Sequence, residues 1–177
     1  MIIMLNGPFG VGKTTAAQAL CAAIPDAMLY DPEIVGTALR SFTAGILPPE
    51  EQTDDFQDIA LWPTLTVQIA EQLMRQYRRH LIVPMTIAHP GYFATITSGL
   101  RALTDHFAHV CLLAPLDTIQ ARLRQRGDDG GSWGWQRTIT YLPRLAEPRF
   151  AQHVQTEDRS PQQVADDVLR VIGLTRG

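Results

Sequence analysis

The chain has 177 residues, 45% of them hydrophobic and 19% charged, and 15 Lys and Arg against 18 Asp and Glu leave a net charge of −3. That length suits one domain with a sizeable core, and the charge balance excludes a nucleic-acid binder that relies on a broad basic face. No apolar run approaches the ~18 residues of a membrane span, Met1 to Leu5 is too short for a signal peptide, and no basic amphipathic tail closes the chain.

The two cysteines, Cys21 and Cys111, fall in apolar stretches and are expected to be reduced thiols in a cytoplasmic protein. The opening run Met1-Ile2-Ile3-Met4-Leu5 suits a buried parallel strand. It leads into Gly7-Pro8-Phe9-Gly10-Val11-Gly12-Lys13-Thr14, which reads G-x-x-x-x-G-K-T, and then into an Ala-rich helix from Thr15 to Ala23. In that context the glycines turn backbone N–H groups toward a phosphate, and the helix N-terminus adds positive potential. Lys13 is expected to reach the β- and γ-phosphates and the Thr14 hydroxyl to ligate Mg²⁺. The segment Gly7 to Thr15 therefore predicts binding of ATP with Mg²⁺.

Pro25-Asp26 marks a turn, and Ala27 to Tyr30 reads as a short second strand. Asp31 is placed to cap a helix that opens with Pro32 and Glu33 and carries Ile34, Ala38, Leu39 and Phe42 at helical spacing. Capping alone accounts for both acids. A carboxylate at a strand end also accepts a proton from an acceptor hydroxyl, or holds a water of the Mg²⁺ shell. Asp31 is expected as the base or acceptor-orienting group. Glu33 takes the lesser role, near the metal through water.

Gly45 to Glu51 reads as a loop, and the chain returns to helix from Thr53 through Asp58. A longer amphipathic helix is expected from about Pro63 to Arg79, with Leu65, Ile69, Leu73 and Tyr77 on one face. Leu81 to Ile87 reads as a third strand, although Pro84 is awkward in a central one. After the loop Ala88 to Phe93 come a helix from about Tyr92 to Leu103 and an apolar strand, Phe107 to Leu113. Asp117 begins a helix with Ile119 and Leu123 inward and Arg122, Arg124 and Arg126 along it. The Gly-rich stretch from Gly127 predicts a lid over about 127–136, with helix resuming near Gln136. His153 to Thr156 is the expected fifth strand, and Ser160-Pro161 opens a last helix that Gly173 stops.

Strands alternating with helices imply an α/β, doubly wound parallel sheet covered on both faces, with ligands at the carboxyl ends of the strands. Phosphoryl transfer there needs cations, and Lys13, Arg122, Arg126 and Arg137 are expected to supply them. No strand ends in an apolar run plus Asp: the third closes Pro84-Met85-Thr86 and the fourth Leu112-Leu113-Ala114. That favours a small-molecule kinase over an ATP-driven motor, and leaves room for a protein that binds without transfer. Acceptor recognition is expected from Arg40, Phe56, Gln57, Trp62, Thr86, His89 and Tyr92, an aromatic and polar mix suited to a nucleoside or sugar. No pair among the five histidines has metal-ligand spacing with a Cys or acid partner.

The P-loop, Asp31-Pro32-Glu33 with Gly36 and Ala38-Leu39-Arg40, Asp54-Asp55-Phe56-Gln57, Leu61-Trp62, Leu81 to Ile87 with His89-Pro90 and Tyr92-Phe93, and Ser132-Trp133 together resemble the tunicamycin-resistance ATP-binding proteins. That family is similar in layout to chloramphenicol phosphotransferase and shikimate kinase. The resemblance covers nearly the whole chain. It implies ATP binding, one P-loop kinase-like domain over 1–177, a five-stranded parallel sheet in the order 2-3-1-4-5 and resistance to a uridine-containing nucleoside antibiotic. It further implies that Asp31 and Glu33 match the acidic pair after the second strand of shikimate kinase-like enzymes, and that Gln155 to Pro161 cradles adenine. Three readings stand: a kinase acting on tunicamycin or a nucleoside-like hydroxyl, a protein that sequesters the drug, and a housekeeping nucleotide or sugar kinase. A monomer or homodimer with a small-molecule partner suits each of them.

Overall fold

Strands β1 (Ile2–Asn6), β2 (Ala27–Leu29), β3 (His80–Pro84), β4 (Phe107–Leu113) and β5 (His153–Gln155) form one sheet in the order β2-β3-β1-β4-β5, every pairing parallel. This is the order that the resemblance implies, seen in a computed structural model that describes residues 1–174. Among the described residues seven helices connect and cover the strands: α1 (Lys13–Ala23), α2 (Pro32–Phe42), α3 (Leu61–Tyr77), α4 (Pro90–Ala102), α5 (Leu116–Gln125), α6 (Trp133–Leu145) and α7 (Pro161–Val171).

β1 is apolar throughout its first four residues because both of its faces are covered. Ile3 and Leu5 pack with α1, α5 and α7 through Leu20, Ile119, Leu123 and Val168. Ile2 and Met4, on the opposite face by strand alternation, pack with α2, α3 and α4 through Leu39, Trp62, Ala70 and Ile96. Among the described residues no helix is long and apolar enough to cross a membrane. Cys111 is buried and Cys21 half-buried, and both are free thiols.

Pro84 does stand in a central strand, at its last residue, and the hydrogen-bond pattern explains how. The N–H groups of Leu81 and Met85 donate to the Met1 and Leu5 carbonyls. Position 84 therefore faces β2 just past the last bond between the two strands, from Tyr30 N to the Ile82 carbonyl, so Pro84 stands where the pairing ends.

Four local expectations are corrected. Residues 53–58 form no helix beyond a 3-10 turn, Phe56–Asp58, because Asp55 caps it through Gln57 N and the turn closes immediately. α3 starts at Leu61 and buries Trp62, Pro63, Thr66 and Ala70, whereas Tyr77 is 59% exposed. The third strand stops at Pro84, so Met85, Thr86 and Ile87 are buried loop. α6 resumes at Trp133, not near Gln136, because Ser132 caps it by accepting from Trp135 N.

His109 on β4 sits with Nδ1 3.3 Å from the Ala151 carbonyl and its ring edge-on to Phe93. With a carbonyl opposite, Nδ1 carries the proton. Burial pushes this imidazole down to about 4, and neighbouring His153 pushes the same way. The unfolded chain therefore takes up the proton first, so this contribution to stability is complete above about pH 6.5 and lost as pH falls toward 4. The melting temperature is expected to drop across that window, and His109→Gln to remove part of the drop.

Candidate nucleotide and acceptor site

The P-loop leaves β1 at Asn6, whose side chain is fully buried. Its Oδ1 accepts from Gly7 N at 2.8 Å and from Ile87 N at 2.9 Å, and its Nδ2 donates to the Ile87 carbonyl. One amide thus pins the start of the P-loop to the segment after β3. Sequence reasoning passed over it. The available signal was a polar residue closing an otherwise apolar strand just before the first glycine.

Gly10 has φ +78°, and a Cβ there would lie 2.8 Å from Leu123, so backbone conformation and close approach both require glycine. Gly12, also left-handed, caps α1 without a side chain, which leaves the first N–H groups of α1 directed at the loop. Lys13 Nζ donates to the Gly7 and Pro8 carbonyls at 2.9 and 3.0 Å and stands 5.4 Å from the centroid of Phe9. Thr14 and Thr15 are exposed beside it.

Facing the loop, Asp31 caps α2 by accepting from Glu33 N at 2.9 Å, and Glu33 Oε1 accepts from Thr86 N at 3.3 Å. A cavity of about 160 Å³ brings Lys13, Thr14 and Thr15 together with Asp31, Glu33 and Arg126. Burial pushes the Lys13 ammonium down to about 8, with Glu33 and Asp31 opposing that shift and Arg126 adding to it. Burial likewise raises the Glu33 carboxyl, Lys13 opposing and Asp31 reinforcing the rise. A cation that holds its proton less tightly than usual and a carboxyl held above its ordinary range are poised to respond to an incoming phosphate.

The three expected arginines part company. Arg126 lies at the junction of this cavity with a second of about 510 Å³, lined by Val11, Gln125, Thr156, Arg159 and Pro161. Arg122 also lines the second cavity, with its guanidinium engaged by the scaffold. Its Nη1 donates to the Val11 carbonyl and Thr156 Oγ1, and its Nη2 to the Thr156 carbonyl at 2.7 Å, so it ties the P-loop to the end of β5. In place of the expected reach to phosphate, Arg137 pairs with Asp54 at 3.0 Å and Asp55 at 3.7 Å. Trp133 Nε1 donates to the same Asp54, and Tyr141 to Asp55. Thr138 Oγ1 donates to the Phe9 carbonyl, and Trp133 meets the Phe9 ring edge-on. α6 therefore bridges the P-loop and the 53–58 segment.

The expected acceptor residues also divide. Trp62 is fully buried with Nε1 donating to the Pro32 carbonyl, so it is a packing residue and not a ligand contact. Thr86 is equally buried, and Gln57 donates to its carbonyl at 2.8 Å. These two shape the wall behind Glu33 without facing the cavity. His89 caps α4 by accepting from Tyr92 N and lies against the Tyr92 ring, whose hydroxyl donates to Asp58. Arg40 donates to the Thr53 carbonyl away from the P-loop cavity. Phe56 remains half-buried beside Asp31 and Glu33.

A P-loop at the start of the first helix, two carboxylates opposite it and a five-stranded 2-3-1-4-5 sheet define a nucleotide-binding protein of the P-loop kinase-like class. Residues 2–138 match the AAA domain family. The tunicamycin resistance protein of Deinococcus radiodurans is 32% identical, with 99% of this chain and 97% of that one covered at a TM-score of 0.80. The chain belongs to the tunicamycin resistance protein family. A gluconokinase from Sinorhizobium meliloti 1021 is 17% identical over 97% of this chain and 90% of its own, TM-score 0.66. Shikimate kinase from Acinetobacter baumannii is 17% identical over 97% and 92%, TM-score 0.59. At that identity both share the fold alone. No curated protein sequence matches the chain.

Proposed function

We propose that the chain transfers the γ-phosphoryl group of ATP to a hydroxyl of tunicamycin or a related nucleoside-like molecule. The observation that carries this reading is the single cavity in which Asp31 and Glu33 face Lys13 and Thr14. The acceptor hydroxyl gives its proton to Asp31 and its oxygen bonds the γ-phosphorus. The bond from that phosphorus to the β–γ bridging oxygen breaks, leaving ADP. Lys13 and the N–H groups opening α1 hold the phosphates, and Arg126 meets charge developing on the γ-phosphoryl oxygens. The nucleobase takes the larger cavity beside Thr156 and Pro161. The Gly-rich turn 127–132, continuous with α6, serves as the lid.

Among the described residues no cluster of three His, Cys, Asp or Glu side chains stands ready for a metal. The donor set nonetheless suits Mg²⁺, with the exposed Thr14 hydroxyl and the Asp31 and Glu33 carboxylates in one cavity that a triphosphate would share. When bound there, Mg²⁺ supplies neutralising charge to the phosphate oxygens.

Incubation with ATP, Mg²⁺ and tunicamycin, followed by the mass of the recovered drug, tests the reading. A gain of about 80 Da, one phosphoryl group, is expected. Unchanged drug retained on the protein only with ATP would overturn transfer in favour of sequestration. That reading draws on one feature: an Asp31 oxygen is already engaged in capping Glu33 N. Drug neither altered nor held would remove tunicamycin as the ligand.

A further inference from the structure

The two carboxylates of the P-loop cavity also border a second space. Asp31 and Glu33, with Ile34, Ala38, Ser41 and Phe56, line an open groove of about 450 Å³ along α2. Ile34, Ala38 and Ser41 fall on one row of the helix, and Phe42 follows Ala38 by one turn. A helix on a globular surface ordinarily turns its large apolar residues to the core. Val35 and Leu39 do so, yet Ile34 is 68% exposed, Phe42 78% and Ile46, just past the helix, 76%. The aromatic residue of the groove is specifically accommodated. A Cβ on Gly36 would come 2.1 Å from Phe56 Cδ2, so a helix-weakening glycine stands where it lets that ring lie against α2.

We infer that this face of α2 is an acceptor subsite, and that the acceptor is amphiphilic. Its hydroxyl lies at Asp31 and Glu33, and an apolar extension runs over Ile34, Ala38 and Phe56 toward Phe42. The inference rests on the acceptor hydroxyl facing Asp31, as proposed above. Continuity decides the occupant, because the groove meets the phosphate cavity at the same two side chains. A molecule with its hydroxyl beside Lys13 can extend along α2 without leaving the protein. A second copy of the chain covering this face would bury both carboxylates with the apolar residues and carry their desolvation cost. An acceptor donating hydroxyls to those carboxylates keeps them hydrogen-bonded.

Alkyl β-D-glucosides from ethyl to octyl, each kept below its micelle concentration, test this by calorimetric titration into the protein loaded with MgADP. These probes report on the groove whether or not tunicamycin is the acceptor. Burying a methylene completely is worth about fourfold in affinity; for an open groove we expect about twofold for each, or about 60-fold from ethyl to octyl. The Ile34→Ser/Phe42→Ser variant, altered only at exposed positions, should flatten the series and leave ADP affinity unchanged. Asp31→Asn should weaken every member by a similar factor and preserve the slope. A slope that survives in Ile34→Ser/Phe42→Ser overturns the inference, as does a wild-type series in which longer chains bind no better or nothing binds. A wild-type dimer by sedimentation that the double variant dissociates would instead give the face to a second copy. If Asp31→Asn leaves the series unmoved while the chain-length slope persists, the apolar subsite stands, and the placing of the hydroxyl at Asp31 fails.

Discussion

Replacing Lys13 with alanine is expected to abolish phosphoryl transfer, by at least about 10³-fold in turnover, and to weaken ATP binding. In the structure Nζ donates to the Gly7 and Pro8 carbonyls, contacts that an arriving triphosphate replaces with stronger charge-assisted ones. The side chain lies on the cavity wall, outside the hydrophobic core, so the variant should fold. Its ordinary value lowered to about 8 by burial adds a pH signature. Phosphate favours the protonated amine, so affinity is full while Lys13 is already charged and falls as pH rises through 8. A titration with a non-hydrolysable ATP analogue should show about a tenfold loss between pH 7 and 9. Lys13→Ala should lack that dependence on pH. Cells carrying the variant should be tunicamycin-sensitive; resistance that survives would sink an ATP-linked mechanism.

Asp31→Asn is expected to lower turnover by about 10²- to 10⁴-fold, the range for loss of a positioned base, while ATP affinity changes little. Asparagine matters here because Asp31 has two tasks. Its Oδ1 caps α2 at Glu33 N, and an Asn side chain keeps that acceptor while losing basicity. Asp31→Ala removes both and should cost a further ~1 kcal/mol of stability. Turnover lost in both variants with the melting temperature lowered only in alanine assigns the carboxylate its chemical role. Wild-type turnover in Asp31→Asn would shift the base to Glu33, or remove transfer altogether if Glu33→Gln were also silent. A sequestering protein would lose at most some affinity for the drug.

Much of this site is legible before any contact is known. The apolar run before Gly7, the G-x-x-x-x-G-K-T spacing and the Ala-rich segment after it specify strand, loop and helix from neighbours in sequence. The Asp31-Pro32-Glu33 cap is equally local, and it appears as expected. The arginines show where legibility stops. Arg122, Arg126 and Arg137 all flank a Gly-rich stretch and look alike as solvated helix charges. Only Arg126 reaches the phosphate cavity. Arg122 holds Val11 and Thr156, and Arg137 holds Asp54 and Asp55, over eighty residues away in sequence. Trp62 and Thr86 misled for the complementary reason. An aromatic ring and a hydroxyl suit a ligand wall, but α3 turns Trp62 into the core and β3 delivers Thr86 behind Glu33.

Local residue patterns suffice for the nucleotide-binding loop, the alternation of strands and helices and the acidic cap after β2, because each depends on residues within a few positions of one another. Contacts between distant parts of the chain are what join Asn6 to Ile87, carry α6 from Phe9 to Asp54, and leave Ile34 beside the carboxylates and Phe42 farther along α2 uncovered. Periodicity says which side chains share a face of a helix. What that face meets is set by how distant elements pack, and that packing is where the acceptor side of this protein is made.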